Sequence, residues 1–172
     1  MRKLKVLLTR KQIKSRVIEL AAAIERDYRD KGPLLIGVLK GSFIFLSDLV
    51  RALNIPLEID FIRLSSYVGR DTSGRVEVIQ EIRTPIGNRD VLVVEDIVDT
   101  GLSLSFLLDH LRQKSPASLR LCALLDKPSR RRVPVSIDYL GFTIPDRFVV
   151  GYGLDYEEKF RWLPDIRYIE EK

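Results

Sequence analysis

Residues 91–107 read VLVVEDIVDTGLSLSFL. An apolar, β-branched run becomes acidic at Glu95, Asp96 and Asp99, and the chain then passes through Thr100 and Gly101 into an amphipathic segment. Three like charges at one strand end repel each other, so stability alone does not explain why they gather there. The stretch therefore predicts a strand, a ligand-binding turn and a helix in direct succession.

The composition is that of one globular domain. The 172 residues can bury a sizeable core, and 31% of them are charged against 45% hydrophobic. No apolar run approaches the roughly 18 residues of a membrane span, and residues 1–10 have no signal-peptide pattern, so we expect a soluble, cytoplasmic protein. The net charge of +5 fits a partner rich in phosphate, either a small anion or a nucleic acid.

The chain has one cysteine and one histidine. Cys122 lies in the apolar stretch LRLCALL, which predicts a buried thiol, and His110 is predicted to occupy a solvated helix position. An arrangement of a nucleophile with a histidine is therefore poorly supported. Any acid–base chemistry is left to carboxylates, lysine or tyrosine.

The hydrophobic pattern predicts an α/β fold. Thr9 and Gln12 fit a capping box, and apolar residues at helical spacing follow as far as Tyr28. Short apolar runs then predict strands over 33–39, 57–64, 90–95 and 118–125, with amphipathic helices over 43–53 and around 104–111. This alternation predicts a central parallel sheet with helices on both sides.

Two segments depart from the pattern. Residues 65–80 are polar and contain glycine, which predicts a mobile flap. After Lys127 the chain has prolines and short strands, which predicts a small lid on the sheet. The basic run 130–132 is interpreted as a solvated loop, with an interface or nucleic-acid patch as the alternative.

The strand end at residue 95 has the chemistry of a sugar-phosphate site. Ligands of open parallel sheets bind beyond the carboxyl ends of the strands, where backbone N–H groups at a helix start hold phosphate. Residues 100–103 are placed for that role, and Glu95 and Asp96 can accept hydrogen bonds from ribose hydroxyls. Asp99 remains free for proton transfer.

Two other interpretations of this strand end stay open. The acidic residues can be merely solvated, with Asp99 or Thr100 capping the helix. VLVVED also resembles the first strand of a response-regulator receiver domain. That strand normally opens its domain, whereas here some 90 residues precede it.

The stretch VLVVEDIVDTGLSL resembles the phosphoribosyl pyrophosphate motif of the type I phosphoribosyltransferases. VLKGSFIFLSDLVR, IDFIRLSSY, LLDKPSRR and DYLGFTIPDRFVVGYGLDYEEKFRWLPDI follow the pattern of the hypoxanthine (guanine) phosphoribosyltransferases over nearly the whole chain. The resemblance implies one domain over 1–172. Its core spans about 13–127, its hood is formed by the N-terminal segment and about 128–172, and a flexible flap loop covers the site.

The resemblance also implies a reaction. Ribose 5-phosphate passes from phosphoribosyl pyrophosphate to N9 of hypoxanthine or guanine, giving IMP or GMP and pyrophosphate, with Mg²⁺ as cofactor and Asp99 as the general acid/base at N7. Similar enzymes form homodimers or homotetramers, and neither a membrane nor a nucleic acid is an expected partner. The alternative is an RNA-binding regulator on the same fold, as the pyrimidine attenuation proteins are, and the positive charge supports it.

Site residues are implied by the same resemblance. Phosphoribosyl pyrophosphate is expected to contact Glu95, Asp96, Asp99, Thr100, Gly101, Leu102, Ser103, Lys40, Gly41 and Arg161. The purine is expected to contact Lys127, Phe148, Val149 and Asp155, and Mg²⁺ to contact Asp155, Glu95 and Asp96. Ser66 and Tyr67 open the flap. The family has a non-proline cis peptide in the loop that matches Leu39–Ser42, and some relatives carry lysine where this chain has Leu102.

Overall fold

The structure, a computed structural model, describes residues 3–69 and 72–170, leaving aside the side chains of 66–69 and 72–75. The described helices are α1 (Arg10–Tyr28), α2 (Phe43–Ala52) and α3 (Leu102–Arg112). The described strands are β1 (Leu4–Leu8), β2 (Leu34–Leu39), β3 (Glu58–Gly69), β4 (Thr72–Gln80), β5 (Asp90–Val98), β6 (Ser118–Asp126), β7 (Tyr139–Thr143), β8 (Val149–Val150) and β9 (Ile166–Ile169).

The central sheet has the strand order β4-β3-β2-β5-β6-β7. Its strands run parallel from β3 to β7, and only β4 is antiparallel to its neighbour. Alternate residues of β2 face opposite sides: Leu35 packs in the cluster with α1 and α2, whereas Leu34 and Ile36 pack in the cluster with α3. Because both faces of these strands are apolar, both must be covered by helices, and the predicted α/β sheet is confirmed.

A second sheet joins the two ends of the described chain. Its order is β1-β9-β8, with antiparallel pairing throughout. Val149, Tyr152 and Ile166 from this region belong to the same buried cluster as α1 and α2. The second sheet is therefore packed onto the core of the central sheet. This sheet and residues 144–165, which include β8 and the loops on either side of it, are called the hood below.

The segment that the sequence predicts as a flap is a β-hairpin. β3 continues past the predicted end at residue 64 to Gly69 and pairs with β4, with Ser65 opposite Glu77. The second strand contains the alternating residues RVEVIQ. In the structure this alternation determines the fold of the stretch, in spite of its polar residues and glycines. Ser66 and Tyr67 lie in β3 by their backbone, and their side chains lie outside the described part.

The single cysteine and the single histidine both lie outside the candidate site and have roles in packing or hydrogen bonding. Cys122 is buried, and burial raises the pKa of its thiol, as expected of an inert core residue. His110 lies on α3 with Nε2 2.6 Å from Glu81 Oε2, and its ring stacks on Phe106. His110 thus lies partly exposed on a helix, and the carboxylate that binds it is 29 residues away in the sequence and was not predicted.

No helix within the described residues is both long and apolar enough to cross a membrane.

Candidate active site

The parallel register brings three strand ends to one edge of the sheet. Gly37 of β2 lies opposite Val94 of β5, and Val98 of β5 lies opposite Asp126 of β6. Beyond these pairs the chain leaves the sheet at residues 39–42, 99–103 and 127. Carboxyl ends of parallel strands form the usual ligand-binding edge of such sheets, and every sequence-predicted motif of the central sheet lies there.

The loop after β2, residues 39–42, is called the pyrophosphate loop below. Its Leu39–Lys40 peptide is cis, as the family resemblance implied. Ser42 is fully buried, and its Oγ donates a 2.7 Å hydrogen bond to the carbonyl of Val38. This bond fixes the point at which the loop turns into α2.

Two carboxylates face the pyrophosphate loop from the end of β5. A Cβ placed on Gly41 would lie 1.7 Å from Asp96 Oδ2, so only glycine lets the loop pack against this carboxylate. Oε1 of the neighbouring Glu95 accepts a hydrogen bond of 3.1 Å from the N–H of Asp96. Burial and, second, the charge of Asp96 raise the pKa of Glu95 well above its ordinary value.

The turn after β5, residues 99–103, is called the phosphate loop below. Gly101 precedes α3 with a φ of +84°, and a Cβ there would lie 2.4 Å from the carbonyl oxygen of Val133. Glycine is therefore required both by conformation and by space. The first N–H groups of α3 have no partner within the helix and are available to an anion.

Residues 131–133, called the rear segment below, donate hydrogen bonds to backbone carbonyl groups of the phosphate loop. Arg131 Nε donates to the carbonyl of Asp99 at 3.0 Å, and the N–H groups of Arg132 and Val133 donate to the carbonyl of Thr100 at 2.9 and 3.1 Å. In a trans peptide the C=O and the next N–H point in opposite directions. The rear segment therefore directs the N–H groups of Thr100 and Gly101 away from itself.

Arg131 is anchored in turn by Asp126, the last residue of β6. Its Nη2 bonds with Asp126 Oδ1, and the two side chains are only 18% and 15% exposed. The prediction that the basic run 130–132 is a solvated loop is therefore wrong for Arg131. The bond from Arg131 to the carbonyl of Asp99 could not be read from the sequence, because it depends on how the chain returns behind β5 after 32 residues.

A buried lysine and a buried carboxylate oxygen adjoin this loop. Lys127 is 5% exposed, and within the described residues only it and Ser42 are buried among the polar and charged side chains. Its backbone N–H donates to the carbonyl of Val98 at 2.9 Å, which fixes Lys127 next to the phosphate loop. Asp99 Oδ1 is also buried and has no hydrogen-bond partner, although it lies 3.3 Å from Arg130 Nε.

An aromatic pair lies at the start of β8. Phe148 is 52% exposed and meets the edge of Tyr156, with ring centroids 5.5 Å apart. Val149 follows it in β8 and is buried. An exposed phenyl face next to a fixed strand can stack on a planar ligand.

The hood also carries the charged turn 155–161. Arg161 Nη2 lies 2.8 Å from Asp155 Oδ1, and Arg161 Nη1 donates to the carbonyl of Gly153 at 2.7 Å. Glu158 bonds to Lys40 Nζ at 2.9 Å, and this hydrogen bond is the main cause that lowers the pKa of Glu158. Arg161 Nε is buried without a partner.

A second glycine contact joins the hood to the pyrophosphate loop. Gly153 has a φ of +102°, and a Cβ there would lie 2.1 Å from the carbonyl oxygen of Gly41. The structure thus brings the predicted groups from residues 40–41, 95–103 and 155–161 together. Sequence reasoning missed Gly153, Glu158 and Arg131; the GYG stretch at 151–153 was the available signal for the first.

An α/β sheet whose acidic strand end leads into a backbone phosphate cradle defines a protein that binds sugar phosphates or nucleotides. Residues 4–157 match the phosphoribosyl transferase domain family, so the chain belongs to the phosphoribosyltransferases, as the motif predicted. The receiver-domain interpretation is therefore wrong.

Individual relatives agree. The chain is 46% identical to the hypoxanthine-guanine phosphoribosyltransferase of Bacillus subtilis over 164 residues, covering 94% of this chain and 91% of that protein. A crystal structure of a hypoxanthine-guanine phosphoribosyltransferase from Bacillus anthracis superimposes with a TM-score of 0.93 at 45% identity, covering 99% of this chain and 100% of that one. The hypoxanthine phosphoribosyltransferase of Trypanosoma cruzi in complex with the product IMP superimposes with a TM-score of 0.90 at 44% identity, covering 96% and 94%.

We predict that Arg131→Met lowers the free energy of unfolding by about 3 kcal/mol, because it leaves the Asp126 carboxylate without its partner. The dissociation constant for phosphoribosyl pyrophosphate should rise about tenfold, since the phosphate loop loses its support. Urea unfolding and isothermal titration calorimetry measure the two effects. Arg132→Met is the matched control, because this exposed side chain has no described partner and only its backbone supports the loop.

Arg131→Lys keeps the charge and loses the forked geometry, so it should remain folded and still bind the substrate less tightly. Equal affinity in wild type and Arg131→Lys would show that the guanidinium does not orient the loop.

Proposed function

We propose that this chain transfers ribose 5-phosphate from phosphoribosyl pyrophosphate to N9 of hypoxanthine or guanine. A bond forms between N9 and the anomeric carbon as the bond from that carbon to pyrophosphate breaks. The proton that the purine loses passes to Asp99. The family membership, the relatives and the arrangement of the strand ends support this proposal, and we infer that the reaction takes place in the cytoplasm.

The proposal rests mainly on two groups that lack a hydrogen-bond partner within the described residues, the ammonium of Lys127 and the carboxylate oxygen Oδ1 of Asp99. Lys127 is 5% exposed, and within the described residues no carboxylate is paired with it, so its ammonium group can donate to a ligand. A buried carboxylate oxygen needs a donor, and Asp99 Oδ1 has none with hydrogen-bond geometry. A 6-oxopurine offers both, since O6 accepts from Lys127 and N7–H donates to Asp99, whereas the 6-amino group of adenine cannot accept.

Phosphoribosyl pyrophosphate fits the rest of the edge. The phosphate loop, with Leu102 and Ser103 starting α3, would hold the 5-phosphate by backbone N–H groups, which do not require a lysine at position 102. Glu95 and Asp96 would hold the ribose hydroxyls. The buried, unpartnered Nε of Arg161 is a donor suited to the pyrophosphate group.

Mg²⁺ fits the donors present, because Asp155, Glu95 and Asp96 offer only oxygen ligands. No group of three or more metal-binding side chains is assembled within residues 3–69 and 72–170. An ion that takes most of its ligands from water and substrate phosphates does not need one. When bound, it would neutralise charge on the pyrophosphate leaving group.

The RNA-binding alternative loses part of its support. It relied on three free cations at 130–132, whereas Arg131 is bound to Asp126 and Arg130 lies near Asp99. A regulator would also have no use for a buried lysine at a strand end. A salt-dependent shift of RNA mobility would restore this alternative.

We expect the purified protein with Mg²⁺ and phosphoribosyl pyrophosphate to convert hypoxanthine or guanine, but neither adenine nor uracil, into a nucleotide. Xanthine is tested in parallel, and nucleotide formation is followed by chromatography. Product from uracil alone, or from no base, would overturn the assignment. Product from adenine would remove the role of Lys127 at O6.

Asp99→Asn should lower kcat by about 10² to 10⁴, because an amide cannot take the purine proton. The dissociation constant for phosphoribosyl pyrophosphate should stay nearly unchanged, since the phosphate loop keeps its backbone. Asp109→Asn removes the same charge from an exposed position on α3 and serves as the control. Equal losses of turnover and of substrate affinity would argue against the role of Asp99 as base.

We also propose that the protein forms a homodimer or a homotetramer through the face around Trp162. This side chain is 77% exposed, and it lines two adjoining grooves of about 580 and 660 Å³ together with Ile44. The second groove is also lined by Glu158 and Arg161, so the contact would border the candidate active site. Ile18 and Phe43 are further exposed apolar side chains along these grooves. An apolar face of this kind, formed by α1, α2 and the hood, fits a second copy of the chain.

Light scattering after size exclusion should therefore give at least twice the mass of one chain. Trp162→Glu should reduce the mass toward that of the monomer, because it places a charge in the contact. Ile59→Glu is the control, since this exposed apolar residue lines neither groove. A monomeric wild type, or an unchanged mass for Trp162→Glu, would contradict the proposed contact.

A further inference from the structure

Glu158 connects Lys40 and Arg161, two cations that the family resemblance assigns to phosphoribosyl pyrophosphate. Its Oε2 accepts a hydrogen bond from Lys40 Nζ at 2.9 Å, and both of its carboxylate oxygens lie 3.4 Å from Arg161 Nη2. Lys40 belongs to the pyrophosphate loop, whereas Glu158 and Arg161 belong to the hood. One side chain therefore spans the gap between the two parts of the site.

The backbone fixes Glu158 in this place. Its N–H donates to Asp155 Oδ2 at 2.9 Å, and Tyr156 and Lys159 exchange two backbone hydrogen bonds at 3.0 and 3.1 Å. Glu157 and Glu158 both have a positive φ, of 53° and 62°. Such a conformation is uncommon for residues other than glycine and persists where the surrounding contacts determine it.

The charges of this cluster balance. Lys40 and Arg161 supply two positive charges, and Asp155 and Glu158 supply two negative ones. A diphosphate group needs the same N–H donors that now face Glu158. Lys40 and Arg161 have further N–H groups, but a diphosphate placed on the same two cations competes with Glu158 for their donors and repels its negative charge, so binding of the diphosphate favours departure of Glu158.

We propose that Glu158 occupies the pyrophosphate donors of Lys40 and Arg161 in the free protein, and that it leaves them when the diphosphate of the substrate binds. The inference rests on the proposed function. It makes Glu158 a residue that weakens the affinity for phosphoribosyl pyrophosphate and for the product pyrophosphate. It also predicts no effect on the purine, because, among the expected purine contacts, only Asp155 touches Glu158 in the described part of the chain, and it does so through the backbone N–H of Glu158.

The chain offers a matched control one residue away. Glu157 is exposed, has the same type of backbone conformation and makes no ion pair with another described residue. Glu158→Gln and Glu157→Gln therefore remove the same charge from the same turn. Only the first removes the contact with Lys40 and Arg161.

The experiment is titration calorimetry of inorganic pyrophosphate with Mg²⁺ into wild type and both variants. Because an exposed ion pair is weak, the dissociation constant should fall about two- to fivefold in Glu158→Gln. It should change less than about twofold in Glu157→Gln, which alters only the long-range field. The KM for phosphoribosyl pyrophosphate should follow the same order, and the KM for hypoxanthine should remain unchanged in both variants.

Equal tightening in the two variants would overturn the proposal, because it would show a general effect of charge. Weaker binding in Glu158→Gln would also overturn it, since Glu158 would then organise the cations for the ligand. A wild type that binds no pyrophosphate and forms no nucleotide would instead reject the proposed function itself.

Discussion

The parallel pairing of β2, β5 and β6 is the constraint on which the rest of the molecule depends. These strands are apolar on both faces, so they must be buried between helices, and their polar ends can meet water only at the edges of the sheet. A strand end is also the one place where backbone N–H groups of a following helix are free. The same hydrophobic pattern that stabilises the core therefore determines where a phosphate can bind.

The site carries groups that a fold selected for stability alone would avoid. Glu95 and Asp96 repel each other at the end of β5, and Lys127 is buried without a described carboxylate partner. Burying unpaired charge costs free energy, and the surrounding core has to offset that cost. These groups become complementary only to a ligand that brings both phosphates and hydrogen-bond donors and acceptors of its own.

Much of the fold could be predicted from the sequence, because β2, β5 and α3 are determined by local periodicity and by the residues that bound them. The motif at 95–103 was predictable for the same reason, since its residues are contiguous. The bond between Arg131 and the phosphate loop and the pair of Glu158 with Lys40 join residues 32 and 118 positions apart. No local pattern encodes such contacts. The β3–β4 hairpin was missed because its glycines and polar residues outweighed a weak alternation.

Glycine contacts explain how two sheets can form one site. Gly41 packs against the carboxylate of Asp96 on one side, and its carbonyl oxygen is in turn approached by Gly153 of the hood. A side chain at Gly153 would push the hood away from the backbone of the pyrophosphate loop, and one at Gly41 would displace the carboxylate of Asp96. The ion pair of Lys40 with Glu158 crosses the same gap that the Gly41–Gly153 contact closes. Because this pair is exposed and weak, the hood can exchange the Glu158 carboxylate for a ligand's phosphates while the glycine contact keeps the frame in place.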